Sequence, residues 1–564
     1  MTPARGAAAL ARLEALKLEF GPGPARERRA LVSRLARTRL TSADQVLRLH
    51  EALVFARAHP DDAATLRAVV RALRAFADRA DLRAHRAALS DSGIAGTDTR
   101  YRFFASTALR LATAWPERLA YDWAAWDDPA RLEEWLPLLA VHGETPALDE
   151  YDLGLRGWLA RMTPAGMGDA AFVTRRLAQR LPDPFAFEKV MDGMDAPMVL
   201  APGPGGPSRT LAHAAVKRVA FQRAGLRRAR PDLAREVATP PLAVRPVSRR
   251  EGERWVAMAV EAMVTRSRDL DVFTYADPAD VRIVECGDGL SFACMGARPE
   301  RRLLLESVYG MLTLQNGVPA GYVLTSALYG SAEIAYNVFD AFRGGAAGTT
   351  YGRVLAMTAH LFGVDAFTVY PYQLGGAGNE EGLASGAWWF YRKLGFAPRD
   401  RAARAMVRRE EARLVRDPQH RSSRRALAAL AEHNVYWHAG PPRDDVIGLL
   451  PLANTGFAVM DALRERGATG ADRGADACAR EAAALLGEGP GRGWSAGERL
   501  AFERWAPLVL ALPGVARWSA AERRALARVA CAKGGRRESD FVRAFDAHPK
   551  LRAAVADLAR RTRT

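Results

Sequence analysis

The sequence predicts an α/β domain with a mixed, mostly antiparallel sheet, flanked by all-α regions at both ends of the chain. Three observations carry this reading. Apolar residues recur at helical spacing over most of residues 5–200 and again over 443–564. Between these stretches lies a series of β-branched and aromatic runs separated by short Gly- and Asn-Gly turns. Residues 202–207 (Pro-Gly-Pro-Gly-Gly-Pro) and 440–442 (Gly-Pro-Pro) break the pattern as linkers. The implied divisions are a helical domain over 1–201, a linker and basic helix over 202–241, an α/β domain over 242–400, and a helical domain over 401–564.

In the N-terminal part, Thr41-Ser42 opens a segment with Val46, Leu47, Leu49, Leu53 and Val54 on one face. Asp61-Asp62 opens another with Leu66, Val69, Val70, Leu73 and Phe76. Hydroxyl and acidic starts of this kind cap helices, and short loops between them predict a bundle or α-solenoid-like domain. Residues 101–135 are rich in aromatics, including Phe103, Phe104, Trp115, Trp123, Trp126 and Trp135. A core is the favoured reading and a ligand groove the alternative. Residues 211–237 read as a basic helix with Lys217, Arg218, Arg223, Arg227, Arg228 and Arg230, best taken as a solvated bridge between domains.

Residues 242–247 predict a first strand and 251–266 a helix. Strands are predicted over 281–286, 290–295, 309–315 and 320–328, with Gly287-Asp288-Gly289 and Asn316-Gly317 as turns. A strand over 334–339 runs into Arg343-Gly344-Gly345-Ala346-Ala347-Gly348, and Thr349 opens a helix that ends at Gly363. Another strand and an aromatic helix follow. Residues 400–415, rich in Arg and Glu, predict a helix where further strands would be needed, so the sheet is expected to be truncated or completed differently. In the C-terminal part, Trp494-Ser-Ala-Gly-Glu-Arg and Trp518-Ser-Ala-Ala-Glu-Arg each hold a capping box, Ser495 with Glu498 and Ser519 with Glu522. The preceding tryptophans are expected to staple the helix starts.

Composition narrows the function classes. The chain has 564 residues, 49% hydrophobic and 26% charged, enough for sizeable cores. No apolar run approaches the roughly 18 residues of a membrane span. Arg5, Arg12, Glu14, Lys17 and Glu19 interrupt any signal-peptide core, so a cytoplasmic location and no membrane partner are expected. The formal charge of +17 is spread along the whole chain, which favours compositional bias over a nucleic-acid surface. Four cysteines show neither C-x-x-C nor metal spacing, His433 and His438 lack the H-E-x-x-H pattern, and G-x-S-x-G is absent. No metal is expected.

The chemistry points to residues 332–396. Small residues at a helix start expose backbone N–H groups at the positive end of the helix dipole, which suits a pyrophosphate. The Walker pattern is absent, and Arg343 is the nearby cation. Asn379, Glu380 and Glu381, beside Gly375-Gly376-Ala377-Gly378, could bind a cationic acceptor or simply cap and open the next helix.

The order Val338, Arg343-Gly344, Gly348, helix, strand, then Phe390-Tyr391 with Gly395-Phe396, resembles the core of the GNAT acyltransferase superfamily. The resemblance covers about 150 residues, and Asp340 and Ala346 depart from the family's proline and glycine. It implies that acetyl-CoA or another acyl-CoA is the co-substrate, bound at Val338, Arg343, Gly344, Gly345, Ala346, Ala347, Gly348 and Thr349. It also implies a thiolate-protonating role for Tyr391, an amine-deprotonating role for Glu333, and a carbonyl-polarising N–H near Val338. The expected function is acyl transfer to an amine on a small molecule or protein. The alternative is a catalytically degenerate acyl-CoA-binding module inside a helical interaction scaffold. Transfer from aminoacyl-tRNA ranks last, because it leaves the phosphate turn unexplained.

Overall fold

In the computed structural model of the chain, the expected caps form at the N-terminal helices. Helices α1 (Pro3–Ala15) and α2 (Pro22–Leu35) precede α3 (Ala43–Ala58) and α4 (Ala63–Arg74). Ser42 accepts the Gln45 N–H at 3.3 Å, and Asp62 accepts that of Thr65 at 2.6 Å. The structure describes residues 3–226, 229–467, 471–491 and 493–561. Its contacts group the chain into two units. One is Met1–Gly225 with Val256–Tyr275 and Gln315–Pro319; the other is Leu226–Trp255 with Ala276–Leu314 and Ala320–Thr564.

The first unit is mainly helical but not all-α. Strands β1 (Thr99–Tyr101), β2 (Leu119–Tyr121) and β3 (Met198–Leu200) form an antiparallel sheet in the order β1-β3-β2. Each is three residues long, too short for an alternating pattern to show in the sequence. The aromatic stretch is core in part: Phe103 and Trp126 are buried, Trp115, Trp123 and Trp135 half-buried, and Phe104 exposed. Tyr121 and Trp126 are buried with ring centroids 4.8 Å apart, and Trp123 donates its indole N–H to Asp169 at 2.7 Å.

The basic helix over 211–237 does not form. Among the described residues only Leu233–Ala238 is helical there, started by Asp232, which accepts the Ala234 and Arg235 N–H groups. Gly225 and Pro231 interrupt the stretch, and its arginines do not line an apolar face that could bury a helix. Instead the Ala214 N–H bonds Gly317 O and the Ala220 N–H bonds Asn316 Oδ1, both at 2.8 Å. Arg227 and Arg228 lie outside the described residues.

The second unit is built on a nine-stranded, mostly antiparallel sheet. Its strands are β4 (Ala243–Pro246), β5 (Ala276–Gly287), β6 (Leu290–Ala297), β7 (Ser307–Gln315), β8 (Val318–Leu328), β9 (Ser331–Val338), β10 (Ala366–Val369), β11 (Ala397–Pro398) and β12 (Val435–His438). Their spatial order is β11-β12-β10-β9-β8-β7-β6-β5-β4. Asp288 and Asn316 take left-handed φ values of 52° and 46°, as two-residue hairpin turns require. Helix α5 (Ala347–Phe362) makes the crossover between β9 and β10, which pair in parallel.

The sheet is not truncated after the aromatic segment. Helices α6 (Glu380–Ser385), α7 (Ala387–Lys393) and α8 (Arg401–Arg416) precede β12, which inserts antiparallel between β10 and β11. The helix predicted over 400–415 is therefore an insertion ahead of the completing strand. Val435-Tyr436-Trp437-His438 is the strand signal, set behind two helices.

The C-terminal helices are α9 (Thr455–Arg466), α10 (Ala471–Leu486), α11 (Ala496–Ala511), α12 (Ala520–Ala532), α13 (Glu538–Asp546) and α14 (Pro549–Arg560). Both capping boxes form, at Ser495 with Glu498 and at Ser519 with Glu522. Trp494 packs on Phe502 at 5.4 Å and Trp518 on His548 at 5.3 Å. One cluster of buried side chains extends from Leu233 to Ala559, so these helices share the core of the sheet. Tyr329, at the end of β8, packs on Phe545 at 5.1 Å and donates its hydroxyl to Arg552 O at 2.9 Å.

Candidate active site

The glycine-rich turn follows directly from β9. The Phe339 N–H bonds Ala320 O at 3.0 Å, one 3-10 turn (Asp340–Phe342) redirects the chain, and Gly344 takes φ +77°. That left-handed value is the turn's real demand for glycine. Ala346 lies at φ −88°, so the backbone tolerates its methyl. Helix α5 starts at Ala347, two residues before Thr349. Its first i→i−4 bond runs from the Thr350 N–H to Ala346 O at 2.9 Å. The N–H groups of the turn before it have no intrahelical acceptor and form the positive end of a 16-residue helix. Leu226 and Pro231 lie alongside: a Cβ on Gly345 would stand 3.5 Å from Leu226 Cδ1, and one on Gly348 3.3 Å from Pro231 Cδ.

Arg343 is half-exposed and held by two carboxylates, Asp340 at 3.0 Å and Glu381. The ion pair with Glu381 brings the first turn of α6 to the glycine-rich turn. Asn379 caps that helix, accepting the Gly382 N–H at 3.0 Å and donating to Tyr372 O at 2.7 Å. Glu380 pairs with Arg424. Asn379 thus has the capping geometry, and of the three only Glu381 reaches the turn through a described contact.

Glu333 lies where two strands part. The parallel register of β9 and β10 comprises Ser331 with Ala366, Ala332 with Phe367, and Glu333 with Thr368. Strand β10 ends at Val369, and the helix Pro371–Leu374 leads the chain on. Residues 334–338 of β9 keep their β8 partners, Ala335 opposite Leu324 and Val338 opposite Gly321. On the other edge they have no strand partner among the described residues. Glu333 is half-buried, and burial followed by the charge of Glu306 pushes its carboxyl up to about 7. The same two carboxylates, after burial, raise the Tyr370 phenol, so Glu306, Glu333 and Tyr370 form one electrostatic group. Glu306 and Tyr370 carry no motif, and only the fold brings them to Glu333.

Tyr391 belongs to an aromatic cluster. It stands 5.5 Å from Tyr351 of α5 and 5.9 Å from Phe396, and Tyr351 stands 5.5 Å from Tyr336 of β9. Burial raises the Tyr391 phenol, which therefore keeps its proton at neutral pH. The Tyr351 hydroxyl is buried without a hydrogen-bond partner. Side chains alternate along a strand, so Tyr336 faces α5 while Glu333 projects from the opposite face. Glu333 and Tyr391 are reached from different faces of β9.

Among the described residues, no group of three His, Cys, Asp or Glu side chains is placed to hold a metal, and no helix is long and apolar enough to cross a membrane. No family model, curated protein or solved structure matches the chain.

Proposed function

We propose that the second unit transfers an acyl group, most simply acetyl, from acyl-CoA to an amine acceptor, as the resemblance to the GNAT superfamily implies. The observation that carries this reading is the parting of β9 from β10 beyond Glu333 and Thr368, just ahead of the glycine-rich start of α5. An open strand edge offers N–H and C=O groups to an extended amide arm such as pantetheine. The adjoining helix start suits the pyrophosphate. The two strands that follow the aromatic segment add support, since the family pattern includes them. Nine strands exceed the usual sheet of that family.

The bound thioester supplies an activated carbonyl. Glu333, titrating near 7, accepts a proton from the acceptor ammonium, and the freed amine attacks the carbonyl carbon. A backbone N–H near Val338 on the open edge polarises the carbonyl oxygen. As the amide bond forms the C–S bond breaks, the thiolate takes a proton from Tyr391, and the attacking nitrogen releases its second proton to water, from which Tyr391 is reprotonated.

A second reading, acyl-CoA binding without turnover, is favoured by the pairing of Arg343 with two carboxylates and by the opposite faces of Glu333 and Tyr391. One experiment separates the two. Acetyl-CoA binding is measured by calorimetry, and release of free CoA thiol is followed with a panel of primary amines. Binding with thiol release supports the enzyme; binding without it supports the second reading; no binding removes both.

A further inference from the structure

In the first unit, the end of α2, the chain that leads to α3 and the end of the short helix Ala80–Ala84 border a pocket of about 920 Å³. Arg34, Arg37 and Arg39 line it with Ser33, Leu40 and His85, and no carboxylate does so among the described residues. The three arginines are exposed, so their guanidinium groups are open to a ligand. None of those groups has an ion pair or hydrogen bond among the described residues.

The neighbouring polar groups are already employed in holding the backbone that carries these arginines. Arg79 donates to Leu35 O and Thr38 O, both at 2.9 Å, and pairs with Asp81 at 2.6 Å. Asp81 accepts the Leu40 N–H at 2.8 Å, and the Thr38 hydroxyl donates to Arg34 O at 2.8 Å. Carbonyls at the C-terminal end of α2, which would repel an anion, are thereby occupied. Nearby acids do not balance the charge. Residues 33–44 and 78–86 together hold six arginines and three aspartates. Asp81 is closed against Arg79, Asp44 pairs with Arg48 at 3.2 Å, and Asp78 lies outside the lining. A lone anion would meet one guanidinium fork and leave two unanswered. A chain of three phosphoryl groups can meet all three, and the pocket is of small-molecule size.

We propose that this pocket binds a triphosphate chain, free or carried by a nucleoside, through Arg34, Arg37 and Arg39. The site is independent of the acyl-transfer reading. The test is calorimetry on the full chain with tripolyphosphate, pyrophosphate, citrate and ATP. Three proteins accompany the wild type: Arg34→Gln/Arg37→Gln/Arg39→Gln, the equal-charge control Arg401→Gln/Arg408→Gln/Arg409→Gln on the exposed face of α8, and Gly348→Glu. The expected result is saturable tripolyphosphate binding by the wild type, with pyrophosphate and citrate at least about tenfold weaker. The first triple variant should lose at least about 100-fold, and Arg39→Gln alone, read if the triple variant melts differently, at least about fivefold. The control and Gly348→Glu should stay within about threefold of wild type. ATP binding more tightly than tripolyphosphate would support a nucleoside triphosphate as the source, and equal binding the free chain. No saturable binding by the wild type, or an equal loss in the control, would overturn the site. Loss confined to Gly348→Glu would move the anion to the glycine-rich turn and overturn it too. Pyrophosphate or citrate binding as tightly as tripolyphosphate would overturn the match to three phosphoryl groups.

Discussion

Thr368 pairs with Glu333 in parallel register, and beyond that pair β9 and β10 part. The residue at the apex of the opening is thus a carboxyl pushed up to about 7, and the glycine-rich turn begins at Arg343, five residues beyond the strand's end at Val338. On the proposed reading, proton transfer and phosphate binding fall at the two ends of one open edge.

Because the Glu333 carboxyl titrates at about 7, acyl transfer to amines should require its ionised form. The rate at saturating acyl-CoA should rise with pH through about 7, and Glu333→Gln should remove that limb and lower kcat by on the order of 10²-fold. The acyl-CoA Kd should stay within about twofold of wild type. A pH profile unchanged by the substitution would remove Glu333 from the chemistry.

The same shift predicts a stability effect. The folded-state value lies above the ordinary 4.5, so the contribution of Glu333 is fully present below 4.5 and is lost as pH rises through about 7. Glu333→Gln should therefore match wild type near pH 4.5 and exceed it at pH 8, by at most about 3 kcal/mol. Denaturant melts at the two pH values measure this directly. Equal stability at both would mean that the carboxylate is well solvated.

Tyr391→Phe keeps the ring that packs on Tyr351 and Phe396 and removes only the hydroxyl. Turnover should fall by about 10²-fold with acyl-CoA binding retained, provided chemistry limits the rate. Unchanged turnover would reassign Tyr391 to packing.

Glu538 is fully buried and pairs with Lys533 at 2.6 Å. Glu538→Gln leaves Lys533 and Arg302 without their shared anion and should cost roughly 3–5 kcal/mol. Urea unfolding followed by tryptophan fluorescence reads this loss. A change below about 1 kcal/mol would show that the cations are neutralised elsewhere.

Where local chemistry decided the structure, it was legible in the sequence. Ser42, Asp62, Ser495 and Ser519 cap helices as their positions imply, and Asn316-Gly317 turns as its dipeptide requires. Long-range pairing was not legible. Strand β12 is four residues placed by contacts with β10 and β11, and the three strands of the small sheet are shorter still. The basic stretch failed as a helix because composition alone does not bury a face. At the candidate site, the turn was marked in the sequence by its glycines, and Glu333 only by the resemblance. The electrostatic partners of Glu333 could not, since Glu306 and Tyr370 reach it only through the sheet.

Calorimetric titration of the full chain with acetyl-CoA, beside the variant Gly348→Glu, measures coenzyme binding at the glycine-rich turn. The substitution puts bulk and negative charge at the start of α5, where Pro231 Cδ need yield only a few tenths of an ångström, so the fold should persist. The wild type should bind at one site, and a variant with an unchanged circular dichroism spectrum should show no detectable binding. Equal binding by the two proteins, or no binding by the wild type, would remove acyl-CoA from the turn.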